Sequence, residues 1–134
     1  MRQAFREVEH TADRAFTVRG RELRDLFMHA AQAVLGLRSR TAQTLQPVKR
    51  EVEVTGTDRE TLLVNWLNEL LFLSERFQER YERFEILDLT DEHVRARLGG
   101  TLAPTVLSVK AVTFHNLAIR REGAEWVATV VVDV

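Results

Sequence analysis

Leu62-Leu63-Val64-Asn65-Trp66-Leu67-Asn68-Glu69-Leu70-Leu71 is the stretch of sequence that decides the fold. Continued to Phe77, its apolar residues cover roughly 200° of a helical wheel, which is wider than the stripe of an ordinary surface helix. Trp66, Leu67, Leu70 and Leu71 lie near the centre of this apolar arc. We therefore expect the helix to be the core element, with sheet packed against it over a broad front.

The two ends of this helix carry further signals. Thr57 followed by Glu60 is a capping-box signature, and it predicts that the helix begins there. Phe72 is the exception on the wheel, because it projects among polar residues. It either fills a corner of the core or marks a contact surface, and we predict the corner because lone exposed apolar residues are uninformative.

The rest of the chain shows one more helical pattern and several alternating ones. Helical spacing of apolar residues predicts a helix over 21–37. Strands are predicted at 3–9, 15–19, 48–54, 84–89, 93–98 and 126–134, with one long or two shorter strands in 106–120, while Gly99-Gly100 predicts a loop. The pattern indicates an α+β fold in a single domain, 1–134, with a mostly antiparallel sheet packed around two helices in the order β-β-α-β-α and then several strands.

The composition is that of an ordinary globular protein. The chain has 134 residues, no cysteine and a formal net charge of −1. The absence of cysteine excludes disulfides, thiolate metal sites and a thiol nucleophile. The net charge argues against a protein whose main task is to grip nucleic acid backbone. No apolar run has the length of a membrane span and the N-terminus lacks a signal-peptide core, so we expect a cytoplasmic protein.

Carboxylates at the two ends of the chain form the first candidate site. Asp133 closes an apolar strand, and Val134 adds a second carboxylate beside it. Two like charges so close repel each other, and a bound cation relieves that repulsion. With Asp13, from the bend between the first two strands, they make an oxygen-only set suited to calcium or magnesium. The alternative is that Asp133 only keeps the strand end hydrated and that Asp13 forms an Asx-turn.

Lys110 and His115 form a second candidate site in the stretch Lys110-Ala111-Val112-Thr113-Phe114-His115. These two side chains either bind a phosphate or an acidic group of a partner, or face water as alternate residues of a strand. The sequence has no glycine-rich phosphate loop, no HExxH zinc helix and no Gly-x-Ser-x-Gly elbow. This lack of catalytic motifs argues against a free-standing enzyme.

Four blocks of the sequence resemble the archease family. They are His10-Thr11-Ala12-Asp13, the helical stretch from Leu62 to Leu71, Lys110 to His115, and Val132-Asp133-Val134. Their order and separation fit the family over essentially the whole chain. One departure is that Arg14-Ala15 stand where the family usually has an apolar residue and then glycine.

The resemblance implies a non-catalytic protein that activates the GTP-dependent RNA ligase of tRNA splicing and RNA repair. Such a protein promotes guanylylation of the ligase and its multiple turnover. The expected partner is the ligase itself, with RNA and GTP reached only through the ligase and no membrane involved. The alternative is a chaperone-like interaction module that modulates an RNA-modifying methyltransferase through apolar surface such as Phe72.

The resemblance also implies the residues of the site. Asp13, Asp133 and a main-chain oxygen of Val134 would hold a divalent cation, which we expect to be calcium, with magnesium or manganese as alternatives. The residues expected to orient this site or to contact the partner are His10, Lys110 and His115.

Overall fold

The two helices form a layer between two β-sheets. The computed structural model describes residues 14–37, 45–104, 109–114 and 117–133, together with the backbone of residues 5–9. Both helices contact strands of both sheets, which makes them the inner layer. The elements are β1 (Phe5–Glu9), β2 (Arg14–Gly20), α1 (Leu23–Leu35), β3 (Pro47–Thr55), α2 (Arg59–Phe77), β4 (Glu79–Leu89), β5 (His93–Leu102), β6 (Ala111–Thr113), β7 (Ile119–Glu122) and β8 (Glu125–Asp133). The predicted α+β class and element order are confirmed.

Both sheets are antiparallel. The larger sheet has the order β1-β2-β8-β6, with β7 also paired to β8, and the smaller has the order β3-β5-β4. Strands β6 and β7 occupy the same edge of β8 and pair with its last and first residues respectively. The region 106–120 therefore contains two short strands within its described residues, which was one of the two predicted alternatives.

Helix α2 supplies the centre of the core, as its periodicity predicts. Trp66 is fully buried, and so is Phe27 of α1. The indole Nε1 of Trp66 donates a hydrogen bond to the main-chain carbonyl of Phe27 at 3.0 Å. The two rings lie 6.5 Å apart between centroids, in a tilted arrangement. This contact joins the two helices inside the apolar layer.

The predicted capping box at the start of α2 is wrong. The N-cap is Asp58, whose carboxylate accepts a hydrogen bond from the Thr61 N–H at 2.7 Å. Glu60 instead accepts a hydrogen bond from the main-chain N–H of Ile119, at 3.0 Å. A carboxylate near a helix start serves either role, and here the nearby strand β7 offers an amide that needs an acceptor.

The glycine pair Gly99-Gly100 lies inside β5 and not in a loop, which corrects the prediction. An added Cβ at Gly100 would lie 1.7 Å from the main-chain oxygen of Arg80. Strand β4 carries irregular register beside this point, between Tyr81 and Arg83. Glycine is therefore required here by the close approach of a neighbouring strand and not by a turn.

Strand β4 begins five residues earlier than predicted, because a buried ion pair stabilises its first residues. Glu79 is buried, and its carboxylate accepts hydrogen bonds from Arg50 of β3 and from the hydroxyl of Tyr81, the latter at 2.7 Å. The hydroxyl of Ser74, near the end of α2, donates to the Glu79 carbonyl at 2.6 Å. The guanidinium of Arg50 also lies 3.7 Å from the centre of the Phe77 ring. A buried carboxylate is tolerated only with partners of this kind.

Burial, together with the hydrogen bond to Glu79, raises the pKa of Tyr81 above its ordinary value. The same carboxylate raises the pKa of Arg50 through its hydrogen bond. The fold therefore favours a neutral phenol beside a charged pair.

We predict that this tyrosine makes stability fall in alkaline solution. An unfolded tyrosine loses its proton near pH 10, whereas folded Tyr81 retains it, so the unfolded state binds fewer protons above that pH. The free energy of unfolding should then decrease by up to about 1.4 kcal/mol per pH unit as pH rises beyond about 10. Denaturant titrations at a series of pH values measure this slope.

Tyr81 is the only tyrosine of the chain, so tyrosinate absorbance reports it alone. Its midpoint should lie above that of the denatured protein. The variant Tyr81→Phe is the control, since it should lose this part of the slope while keeping the contributions of lysines and arginines. A folded midpoint near pH 10 would contradict the raised pKa.

Candidate functional site

Strand register brings three distant parts of the chain to one end of the larger sheet. Glu9 pairs with Arg14, and Arg14 pairs with Val132. On the other side of β8, Asp133 pairs with Ala111. The flanks of the β1–β2 connection, the end of β8 and the start of β6 therefore lie side by side. These are the segments that carry the site residues expected from the sequence.

Asp133 and Lys110 are the two expected site residues that the structure describes. Both are exposed, and the main-chain N–H of Lys110 donates to the carbonyl of Asp133 at 2.8 Å. This bond uses the main-chain oxygen of Asp133 and places Lys110 at the same end of the sheet. The other expected site residues lie outside the described part of the chain: His10, Asp13, His115 and Val134.

Two of the three expected cation ligands, Asp13 and Val134, lie outside the described residues. Within the described residues, no group of three or more histidine, aspartate or glutamate side chains is arranged to hold a metal ion. Asp133 is the one expected ligand in that part of the chain, so the complete set remains a prediction.

Arg14 bears on the electrostatics of this end, because it follows the expected ligand Asp13 directly. The Arg14 guanidinium lies 6.0 Å from the centre of the Phe16 ring, two residues further along β2. Its attraction to the ring quadrupole is a modest one at this distance.

Asn68 of α2 holds strand β6 in place, a role that the sequence analysis missed. Its side-chain Oδ1 accepts from the main-chain N–H of Val112 at 2.8 Å, and its Nδ2 donates to the Val112 carbonyl at 3.1 Å. A carboxamide carries both a donor and an acceptor, so one side chain satisfies both backbone groups of a residue. The available signal for this role is an asparagine among the apolar residues of the helix that forms the centre of the core.

Two more side chains of α2 bind strand backbone in the same manner. Asn65 Nδ2 donates to the Thr55 carbonyl at the end of β3, at 2.9 Å. Glu60 accepts from Ile119 at the start of β7. Helix α2 is thus hydrogen-bonded to strands of both sheets, and the position of β6 beside Asp133 depends on it.

Phe72 is exposed, with 58% of its surface accessible, so the prediction that it fills a corner of the core is wrong. It borders a groove of about 470 Å³ that lies between α2 and the end of β3. The groove is also lined by polar side chains, namely Glu53, Thr55, Asn65, Asn68 and Glu69. Phe114, directly after β6, is a second exposed aromatic side chain, with 54% accessible. The alternative prediction, that Phe72 marks a contact surface, stays a prediction.

Comparison with known proteins identifies the family. The archease protein family matches residues 5–134 of this chain. The archease of Methanopyrus kandleri is 36% identical, with 97% of this chain and 99% of that protein covered. The chain belongs to the archease family. The archease of Methanosarcina mazei is 32% identical, with 97% of this chain and 95% of that protein covered.

Solved structures agree with this archease assignment. The solution structure of Methanobacterium thermoautotrophicum protein 1598 has a TM-score of 0.69 and 26% identity, and 98% of this chain and 99% of that chain are covered. The crystal structure of a Thermotoga maritima protein described as an archease, possible chaperone, has the same fold. Its TM-score is 0.68 at 21% identity, covering 100% of this chain and 98% of that chain. Among the helices described for this archease-family chain, none has the length and apolar character of a membrane span.

We predict that Asn68→Leu releases strand β6. The substitution leaves the N–H and C=O of Val112 without partners, which should lower the free energy of unfolding by about 2–3 kcal/mol. Hydrogen exchange of the Val112 amide, followed by NMR, should become faster. The matched control is Asn65→Leu, which removes one hydrogen bond to β3 and should leave Val112 exchange unchanged. Equal protection of the Val112 amide in the wild type and in Asn68→Leu would contradict the role of Asn68 in holding β6.

Proposed function

We propose that this chain is a non-catalytic, metal-binding activator of the GTP-dependent RNA ligase of tRNA splicing and RNA repair. The observation that supports it best is the register at one end of the larger sheet. Arg14, Val132 and Asp133 lie there together, next to Ala111 of β6. These residues flank or belong to the segments that carry Asp13, Asp133 and Lys110. In an archease-family chain, that convergence supports one site assembled from both chain ends.

The donor chemistry at this end suits a hard divalent cation. Asp133 is exposed and its carbonyl accepts from Lys110, so its carboxylate is the group available to a ligand. Carboxylate and main-chain oxygens are the ligands that calcium, magnesium and manganese prefer. We propose Asp13, Asp133 and a main-chain oxygen of Val134 as the ligands and calcium as the cation. When bound, the cation supplies positive charge that neutralises phosphate oxygens.

We propose that the ligase carries out the chemical step and that this chain takes no catalytic part in it. This chain docks the end of its larger sheet at the ligase active site and promotes guanylylation there, which allows multiple turnover. Lys110 is exposed at the same end and is suited to contact a phosphate or an acidic group of the ligase. By the archease resemblance, we propose His10 and His115 as further residues that orient the site or contact the ligase. In this activating role, RNA and GTP are bound by the ligase and reach the proposed cation site only through it. The proposed location is the cytoplasm.

We predict that Asp13→Asn and Asp133→Asn each abolish most of the activation. Replacing a carboxylate by an amide removes a negative charge from the cation site while keeping the side-chain size. Even residues that only support metal ligands cost roughly ten- to hundredfold when mutated, so we expect a loss at least as large for a ligand. The measurement is the number of sealed RNA molecules per ligase with GTP present and the variant added.

The control for these variants is Asp88→Asn. Asp88 is an exposed carboxylate of β4, on the other sheet. The same chemical change there should leave turnover at the wild-type level. Full activation by both site variants would refute the cation site, and no activation by the wild type would refute the ligase partner.

The chaperone-like interaction module, one that modulates an RNA-modifying methyltransferase, remains the second candidate. The exposed aromatic rings of Phe72 and Phe114 favour it, since exposed aromatic side chains are enriched at protein interfaces. Such a module needs no metal. We expect calorimetry to show calcium binding that Asp133→Asn removes and Phe72→Gln retains. Absence of calcium binding, combined with loss of partner binding in Phe72→Gln, would favour the interaction module.

A further inference from the structure

The exposed face of the three-stranded sheet carries a regular ladder of opposite charges. Basic residues of the central strand β5 pair with acidic residues of the two outer strands. Arg95 contacts Glu51 of β3 at 3.0 Å, and Arg97 contacts Glu85 of β4 at 3.2 Å. At the next position His93 lies between two carboxylates, with Glu53 at 2.7 Å and Asp88 at 3.4 Å. From His93 to Arg97, the basic side chains of β5 are therefore paired with carboxylates of the outer strands.

The pattern reverses at Gly99. The register places Lys49 of β3 and Arg83 of β4 on either side of this glycine. Here the outer strands are basic and the central strand has no side chain. Among the described residues, neither Lys49 nor Arg83 has an ion-pair partner. Two cations therefore face each other across a glycine at the end of a ladder in which the other charges are paired.

The absence of a side chain at Gly99 lets the two cations approach. An added Cβ at Gly99 would lie 2.8 Å from a terminal nitrogen of Arg83, so the guanidinium occupies the space above the glycine. Lys49 and Arg83 line one open groove of about 380 Å³, and its only acidic lining residue, Glu85, is paired with Arg97. Like charges at one place repel each other, and an anion between them relieves that repulsion.

We propose that this groove, defined by Lys49, Gly99 and Arg83, binds a phosphate of single-stranded RNA. Arginine and lysine are the side chains that contact phosphate in nucleic acid complexes. The groove is open and lies on the face of a sheet, a geometry that admits an extended chain of phosphates. Phe84 is the aromatic residue that lines the groove, and its side chain is buried in the core, so it offers no ring for base stacking. The contact is therefore with the RNA backbone and independent of RNA sequence.

The overall net charge of −1 limits the strength of this binding. A protein without a large positive field gains affinity only from local contacts, so binding should be weak and sensitive to salt. The groove lies on the smaller sheet, whereas the proposed cation site is on the larger one. The inference therefore stands independently of the proposed ligase activation.

The test is fluorescence anisotropy of a labelled single-stranded oligoribonucleotide over a series of salt concentrations. The double variant Lys49→Gln/Arg83→Gln should reduce the slope of log K against log salt by about 0.7, since the groove holds one phosphate and each neutralised phosphate contributes about 0.7 for single strands. At about 0.1 M salt this corresponds to weakening on the order of fivefold. The control Arg95→Gln/Arg120→Gln removes the same charge from two ion pairs and should keep the wild-type slope.

A second variant tests the geometry of the groove. Gly99→Asp places a carboxylate between Lys49 and Arg83 and should abolish RNA binding, because it continues the charge ladder into the groove. The space beside Gly99 is taken by the flexible end of Arg83, which can move aside. Circular dichroism melting checks that each variant is folded, and only folded variants are compared.

Three results would overturn the proposal. The first is wild-type affinity in a folded double variant. The second is equal loss in the Arg95→Gln/Arg120→Gln control, which would mean that only net charge matters. The third is displacement of RNA by polyglutamate at an equal concentration of charges, which would identify an acidic protein segment as the ligand. Weak displacement by inorganic phosphate, with strong displacement by longer RNA, would support the proposal.

Discussion

The hydrogen bond from the indole of Trp66 to the carbonyl of Phe27 is the constraint on which the layered structure depends. Trp66 is fully buried, so its N–H cannot return to water and would cost roughly 1–3 kcal/mol if unpaired. A carbonyl inside a helix is normally engaged by the amide four residues later, so a second donor can reach it only from limited directions. The bond thereby restricts how α1 and α2 rotate against each other. Because both sheets pack on these helices, their placement follows from it.

The part of the fold that could be predicted is the part dictated by apolar periodicity. The helix from Arg59 to Phe77 is evident because its apolar arc is wide, and strand β3 is predicted over most of its length. The start of β4 was missed because Glu79 is charged, and its burial depends on Arg50, which is distant in sequence. The pair Gly99-Gly100 predicts a loop from sequence alone, because the close approach of a neighbouring strand leaves no local sequence signal. Both errors have the same cause, namely a contact with a residue that is distant in sequence.

The candidate site shows the same division between local and distant information. Sequence could indicate Asp133 and Lys110, and strand pairing then placed both at one end of the larger sheet. The role of Asn68 could not be foreseen, since its partner Val112 lies far along the chain. Phe72 was misplaced because a wheel shows which face a residue occupies and not what covers that face. The electrostatic argument for the two proposed sites is shared. At each site, side chains of like charge lie close together, and a ligand of opposite charge would relieve their repulsion.

The side chains with which α2 holds β6 and β7 have a consequence for association with other chains. Edge strands expose unpaired N–H and C=O groups that can recruit strands from other molecules, and proteins commonly block them. Here the carboxamide of Asn68 engages both backbone groups of Val112, and Glu60 engages the N–H of Ile119. One helix thus acts in place of a missing sixth strand. It closes this edge to sheet extension while leaving the side chains at the strand ends free to meet a partner.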